Sequence, residues 1–245
     1  MTNKEKKVAA IQSNYIPWKG YFDIIQTVDE FILYDDVQYT PKNWRNRNRM
    51  KTPQGLKWLS IPVFADESIA RADRFINKMQ VTNHDWPDQH WSFIQANYAR
   101  ARHFDAHKDN IKDMFMEAKN IDFLSDINMH FIKSICDFLD IDTEIKFSTD
   151  YVLTKSGKSE RPLELAIKAG ADTFVSGGKA SEYYDLEVWS NAGVKVEFFS
   201  YDDYKEYWQP YPPFEHGVSI LDLLFNTGNE AKKYLLSTPE NEIIR

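Results

Sequence analysis

Apolar residues gather in short runs near both ends of this chain and spread out at helical spacing through its middle. Val8-Ala9-Ala10-Ile11 and Phe31-Ile32-Leu33-Tyr34 are continuous apolar runs, the pattern of strands buried in a sheet. Between them Pro17 and Gly20 punctuate a loop, and the spacing predicts a helix over 21–28. A strand, loop, helix and strand in that order open a mostly parallel sheet with right-handed crossovers. Residues 42–63 read as an excursion of extended chain, with a strand over 58–63. From 87 to 139 the apolar positions recur every three or four residues, which predicts helices and no strand. Strand-like segments return at 145–148, 173–175 and 194–199. They alternate with helical stretches at 161–169 and 182–191, each followed by a glycine suited to a left-handed C-cap. Ser219 and Asp222 open a last short helix over 219–225, in a pattern close to a capping box. With no internal repeat, low-complexity tract or linker, the expectation is one α/β domain over 1–245, Rossmann-like, in which residues about 85–140 form a mainly helical insertion.

Charge and composition narrow the choice of partners. A formal charge of −7 over 245 residues gathers no phosphate backbone, so general binding of nucleic-acid polymers is excluded while a local basic patch for one or two phosphates is not. Aromatic residues reach 15%, more than a bare core requires, so some rings are expected to line a concave surface. The lone Cys136 allows no intrachain disulfide and, on an apolar helix face, reads as core filler. The lysine-rich start lacks the apolar run of a signal peptide, and no stretch approaches the roughly 20 apolar residues of a membrane span, so a cytoplasmic location is expected.

Chemistry is expected where loops meet the carboxyl ends of the strands. In the loop after the first strand Asn14 offers hydrogen bonds, while Tyr15, Trp18 and Tyr21 offer rings for a base or a sugar. Asp35 and Asp36 follow the second strand, and adjacent carboxylates on extended chain point to opposite sides. Asp36 is the candidate that faces a substrate. In Trp44-Arg45-Asn46-Arg47-Asn48-Arg49 a period of two puts the three arginines on one face, opposite Trp44, as a site for a diphosphate. His90, with Ile94 and Tyr98 at four-residue steps, is a candidate base suited to neutral pH. His103 and His107 share one helix face, but no cysteine or acid completes a metal set, and no metal is expected. Lys155-Ser156-Gly157-Lys158-Ser159-Glu160-Arg161 resembles an anion-binding helix entrance without Walker spacing. Ser176 and Gly177 open a second glycine loop that lets a ligand approach the backbone. In Tyr207-Trp208-Gln209-Pro210-Tyr211-Pro212-Pro213-Phe214, a stiff and ring-rich segment, Gln209 is the residue that would reach a polar ligand if the segment folds over the cleft.

Several blocks together resemble the WbqC-like family. They are Gln12-Ser13-Asn14-Tyr15-Ile16-Pro17-Trp18-Lys19-Gly20-Tyr21-Phe22-Asp23, Asp35-Asp36-Val37-Gln38-Tyr39, and the arginine run above. Gly170-Ala171-Asp172-Thr173-Phe174-Val175-Ser176-Gly177 and Ser219-Ile220-Leu221-Asp222-Leu223-Leu224-Phe225-Asn226 complete the set. Ser13 stands where the family commonly shows proline. The resemblance implies a role in O-antigen or related surface-polysaccharide synthesis, with transfer of an acyl or aminoacyl group, glycyl among them, to a nucleotide-linked deoxyamino sugar. It leaves open ATP or an already activated acyl donor as co-substrate, acyl-CoA-dependent or other group transfer, and a non-catalytic sugar-nucleotide-binding role. Trp18-Lys19-Gly20-Tyr21 also sits where nucleotidyltransferase-like HUP proteins carry His-x-Gly-His, with Trp18 and Tyr21 replacing the two histidines.

Overall fold

The computed structural model describes residues 5–237. Five strands form one parallel sheet: β1 (Lys7–Ile11), β2 (Glu30–Leu33), β7 (Glu144–Phe147), β8 (Thr173–Gly177) and β9 (Lys195–Phe199). Their spatial order is β7-β2-β1-β8-β9. Counted along the chain that is 3-2-1-4-5, the order of a Rossmann-like sheet with its switch point between β1 and β8. The α/β expectation is met.

Alternation along each strand explains why both faces are covered. Ala9, Phe31, Leu33 and Val175 face the larger core, which takes in α1 (Lys19–Gln26) and α4 (Leu124–Phe138). Val8, Ile32 and Phe174 face the other way, onto Leu163 and Ala166 of α5 (Glu160–Lys168) and Trp189 of α6 (Leu186–Asn191). Apolar runs fill the inner strands β1, β2 and β8, which are covered on both sides, whereas the edge strands β7 and β9 alternate apolar with charged positions. Gly170 (φ 68°) and Gly193 (φ 79°) end the chain's turns after α5 and α6 in the left-handed region, as their positions predicted.

The excursion after β2 is a hairpin rather than one strand. β3 (Arg47–Thr52) pairs antiparallel with β4 (Gly55–Ser60) across a turn that Gly55 closes at φ 88°. The strand expected over 58–63 therefore ends at Ser60, and a two-residue pair, β5 (Val63–Phe64) with β6 (Gln80–Val81), follows. Three helices make the insertion: α2 (Trp86–Tyr98), α3 (Phe104–Ala118) and α4. The helix expected over 182–191 starts only at Leu186, because Gly178–Glu182 winds as a 3₁₀ turn first. The last helix, α7 (Ile220–Thr227), is buried all round. Among the described residues no helix is long and apolar enough to cross a membrane.

At the start of α7 the Ser219 hydroxyl accepts the Leu221 amide at 3.3 Å. Replacing Ser219 by Ala should cost about 1 kcal/mol, the usual worth of an N-cap, in a denaturant titration.

Candidate functional site

A cavity of about 1260 Å³ opens at the carboxyl ends of β1, β2, β8 and β9, spanning the switch point. Ile11, Gln12, Tyr34, Asp36 and the loops 156–158 and 177–179 line it. Phe199 and Tyr201 close the β9 side. Open α/β sheets bind ligands in this crevice because the chain leaves every strand there as a loop, with backbone amides and helix starts exposed.

The two aspartates after β2 diverge as expected. Asp35 is buried, accepting the Ser13 amide at 2.8 Å and the Ser125 hydroxyl at 2.6 Å. Burial pushes its carboxyl up from the ordinary value, and those hydrogen bonds pull the other way. Asn128 of α4 donates to the Ser13 hydroxyl and to the Arg45 carbonyl, so this set pins the β1–α1 loop to the insertion. Asp36 turns into the cavity. One of its oxygens accepts the Ser148 hydroxyl at 2.5 Å, and the other pairs with the Arg161 guanidinium.

Ser176 and Gly177 line the same cavity, at the end of β8. Neighbouring Gly178 has open space where a side chain would begin, so a ligand can approach its backbone. Lys158, Arg161 and Lys179 bring three cations to the rim of an acidic protein. Arg161 was one letter of the run 155–161 in the sequence; its place opposite Asp36 needed the fold.

The remaining candidates lie elsewhere. Tyr15 is wholly buried, with its hydroxyl 2.8 Å from His90 Nδ1 and its ring edge-on to Trp86 and Phe131. His90 is likewise buried, and burial lowers its pKa to about 4, so it is a neutral core histidine and not a base in the cavity. Asn14 spends its side-chain oxygen on Arg45. Trp18 packs on Tyr201 and over Gly20, where a β-carbon would fall 2.4 Å from the indole. Tyr21 is buried and donates to the Gln12 carbonyl at 3.2 Å. Neither residue that replaces a histidine of the HUP signature therefore points at a ligand.

The three arginines do not share a face. Arg45 precedes β3 and folds inward, where its guanidinium is held by the carbonyls of Gln12 and Ser13 and the side chains of Gln12 and Asn14. Arg47 and Arg49 do stand together on β3, but with Trp44 rather than opposite it. Trp44 and Trp58 meet at 5.0 Å, Arg47 lies 4.1 Å over Trp58, and Arg49 lies 5.4 Å from Trp44. Indole faces and the carbonyls of Lys42 and Gly217 relieve the repulsion that an anion was expected to relieve. None of the three lines the cavity.

Gln209 is also committed internally. Its amide nitrogen donates to Asp222 at 2.7 Å and to the Glu215 carbonyl at 3.0 Å, and its oxygen accepts Lys51 at 3.0 Å and the Glu215 amide at 2.9 Å. Segment 207–214 seals the flank of α7 instead of the cleft. Cys136 is buried, and its thiol is pushed up to about 12 by burial, as inert core filler should be. Among the described residues no group of three or more His, Cys, Asp or Glu side chains is placed to hold a metal ion.

A model of the WbqC-like protein family matches residues 12–234. An uncharacterized protein of Mycobacterium tuberculosis is 45% identical over 230 residues, covering 94% of this chain and 97% of that protein. No solved structure matches.

Proposed function

The chain belongs to the WbqC-like protein family, and we propose that it is a transferase of surface-polysaccharide synthesis that places an acyl or aminoacyl group, such as glycyl, on the amine of a nucleotide-linked deoxyamino sugar. One observation carries this reading: the Asp36 carboxylate, in its ion pair with Arg161, shares one large cavity with glycine-loop backbone, Lys158 and Lys179. The cavity exceeds the roughly 300–1,000 Å³ usual for one small ligand, which leaves room for a sugar nucleotide and a second substrate. Lys158, Arg161 and Lys179 would take the phosphates, and Tyr34 and Tyr201 would flank the base or sugar.

The chemistry asks little more. The amine nitrogen bonds to the acyl carbon, the leaving group departs with its electron pair, and a carboxylate takes the proton the nitrogen loses. We assign that proton to the Asp36 carboxylate, which lines the cavity. Ser176 and the backbone from Gly177 to Lys179 lie close enough to one another to furnish donors for the carbonyl oxygen as it gains charge. The acyl group arrives either as a ready thioester or as a free acid activated by ATP.

The test is product mass. The chain is incubated with dTDP-amino-dideoxyhexoses and either an acyl-CoA or glycine with ATP. An acylated sugar nucleotide is expected from one of the two donors, and Asp36→Asn should reduce turnover by about 10²–10⁴-fold while sugar-nucleotide binding persists. Binding without any product from either donor would overturn the transferase and leave a sugar-nucleotide-binding protein.

A further inference from the structure

A base should be free to accept a proton, yet Asp36 is not. Its Oδ2 is paired with Arg161 and its Oδ1 accepts the Ser148 hydroxyl at 2.5 Å. Both members of the pair are partly buried, with 21% and 17% of their side chains exposed, and the guanidinium occupies the Oδ2 that would otherwise receive a proton. Arg161 itself is under-used. Its Nε is buried and makes no hydrogen bond among the described residues, and its guanidinium rests 5.4 Å from the Tyr34 ring, a flat surface along which it can turn. It also stands in the first turn of α5, on the cavity wall that carries Ser156, Gly157 and Lys158. The glycine loop with Lys179 lines the same cavity.

We propose that Arg161 is shared between two anions: it pairs with Asp36 until a diphosphate lodges between the 156–158 loop and the 177–179 loop, then turns to the phosphate oxygens and leaves Asp36 free to act as base. This rests on the reading of the cavity as a nucleotide-sugar site. A diphosphate presents more charge than one carboxylate and matches the paired N–H donors of a guanidinium, so it wins the competition once Lys158 and Lys179 help to hold it. Ser148 gives the exchange its precision. It binds the oxygen that Arg161 does not, so the carboxylate keeps its place after the guanidinium leaves. The arrangement makes the base available only when the nucleotide end of the substrate has been recognised, and it makes Arg161 a residue of specificity as well as of binding.

Sharing ties the effect of the carboxylate to Arg161, so a gain from Asp36→Asn that persisted in the Arg161→Met background would be the plain loss of a negative charge and would overturn it. Removing the carboxylate should tighten phosphate binding, because Arg161 no longer has to be drawn away from it. Titration calorimetry with inorganic pyrophosphate and with dTDP would compare the natural chain with Asp36→Asn, Asp36→Ser, Arg161→Met and the double variant that joins Asp36→Asn to Arg161→Met. Both Asp36 variants should bind pyrophosphate about tenfold more tightly, the worth of one charge-assisted hydrogen bond, and Arg161→Met at least about tenfold more weakly. The two Asp36 replacements differ in size, so one folded variant, judged by its melting curve, is enough to read the effect. Unchanged or weaker pyrophosphate binding in the folded Asp36 variant would overturn the sharing while leaving the nucleotide-sugar reading intact. If the natural chain binds neither pyrophosphate nor dTDP at millimolar concentration, the sharing and the nucleotide-sugar reading both fall.

Discussion

Asp222→Ala is expected to lower the unfolding free energy by about 3–5 kcal/mol, a large share of the roughly 5–15 kcal/mol that holds a typical domain together. The Asp222 side chain has no solvent exposure, and it accepts the Tyr207 hydroxyl at 2.6 Å, the Gln209 amide at 2.7 Å and the Tyr98 hydroxyl at 2.8 Å. Burial pushes its carboxyl up from the ordinary value, while those three donors and the nearby Lys51 ammonium pull it down. Truncation strands them together. Each buried donor left without a partner costs about 1–3 kcal/mol, and Lys51 keeps its charge with less to balance it. Lys51 also donates to Gln209 at 3.0 Å and to the Pro213 carbonyl at 2.6 Å, so the 207–214 segment would loosen as well. Asp222→Asn should cost clearly less, since its carbonyl still accepts from Gln209 and Tyr207. Urea titrations of the two variants would measure the difference. Equal losses would mean that the carboxylate's charge and second oxygen contribute nothing.

Asp222 also marks the limit of what the chain's pattern could reveal. A Ser-x-x-Asp opening reads as a helix cap, and Ser219 is one. The same motif says nothing of Tyr98, which lies 124 residues away on α2. Local pattern located the five parallel strands, as apolar runs in the inner strands β1, β2 and β8 and as alternation in the edge strands β7 and β9. Glycines located the ends of α5 and α6, because a left-handed turn excludes most other residues. Partners across the fold leave no such trace. The arginine run shows why. Its period of two holds for Arg47 and Arg49, which sit on β3, but the strand begins after Arg45, and a side chain outside the ladder is free to turn inward. Where a strand starts decides which face a residue takes, and a few residues of boundary error changed an expected anion site into an internal clamp and an indole-guanidinium stack.

The cavity was legible in outline for the same reason. Asp36, Ser176 and Gly177 each follow an apolar run that becomes a strand of the sheet, and a parallel sheet sends all such positions to one edge. His90 and Gln209 carried no comparable constraint. Their spacing and their neighbours suited a site, but the same polar groups equally satisfy donors and acceptors inside a core, and the structure uses them that way.

His90 gives the second large effect, a loss of stability in mild acid. The imidazole of a denatured chain takes a proton near pH 6.5, whereas in the folded chain burial lowers the pKa to about 4. Between those values the unfolded chain binds the proton and the folded chain does not, so stability falls as pH falls through that window. Above about pH 6.5 both forms are neutral and the term vanishes; below about pH 4 both are protonated and the loss stops growing. Integrated across the window, the difference is about 3 kcal/mol from this one residue. The surroundings explain why no partner offsets it. Tyr15 and Trp86 pack around the ring, the Ser60 carbonyl helps the charged form only weakly against burial, and the Tyr15 hydroxyl is already 2.8 Å from Nδ1. A neutral ring accepts that hydroxyl at Nδ1 and keeps its proton at Nε2, whereas a doubly protonated ring has no acceptor left to offer. His90→Gln retains a donor and an acceptor but cannot titrate. Its stability at pH 7 should be somewhat lower than that of the natural chain, and between pH 6.5 and pH 4 it should fall by about 3 kcal/mol less. Parallel slopes for the two proteins in urea titrations across that range would show that His90 takes up its proton in the folded state, and that the acid loss originates in other groups.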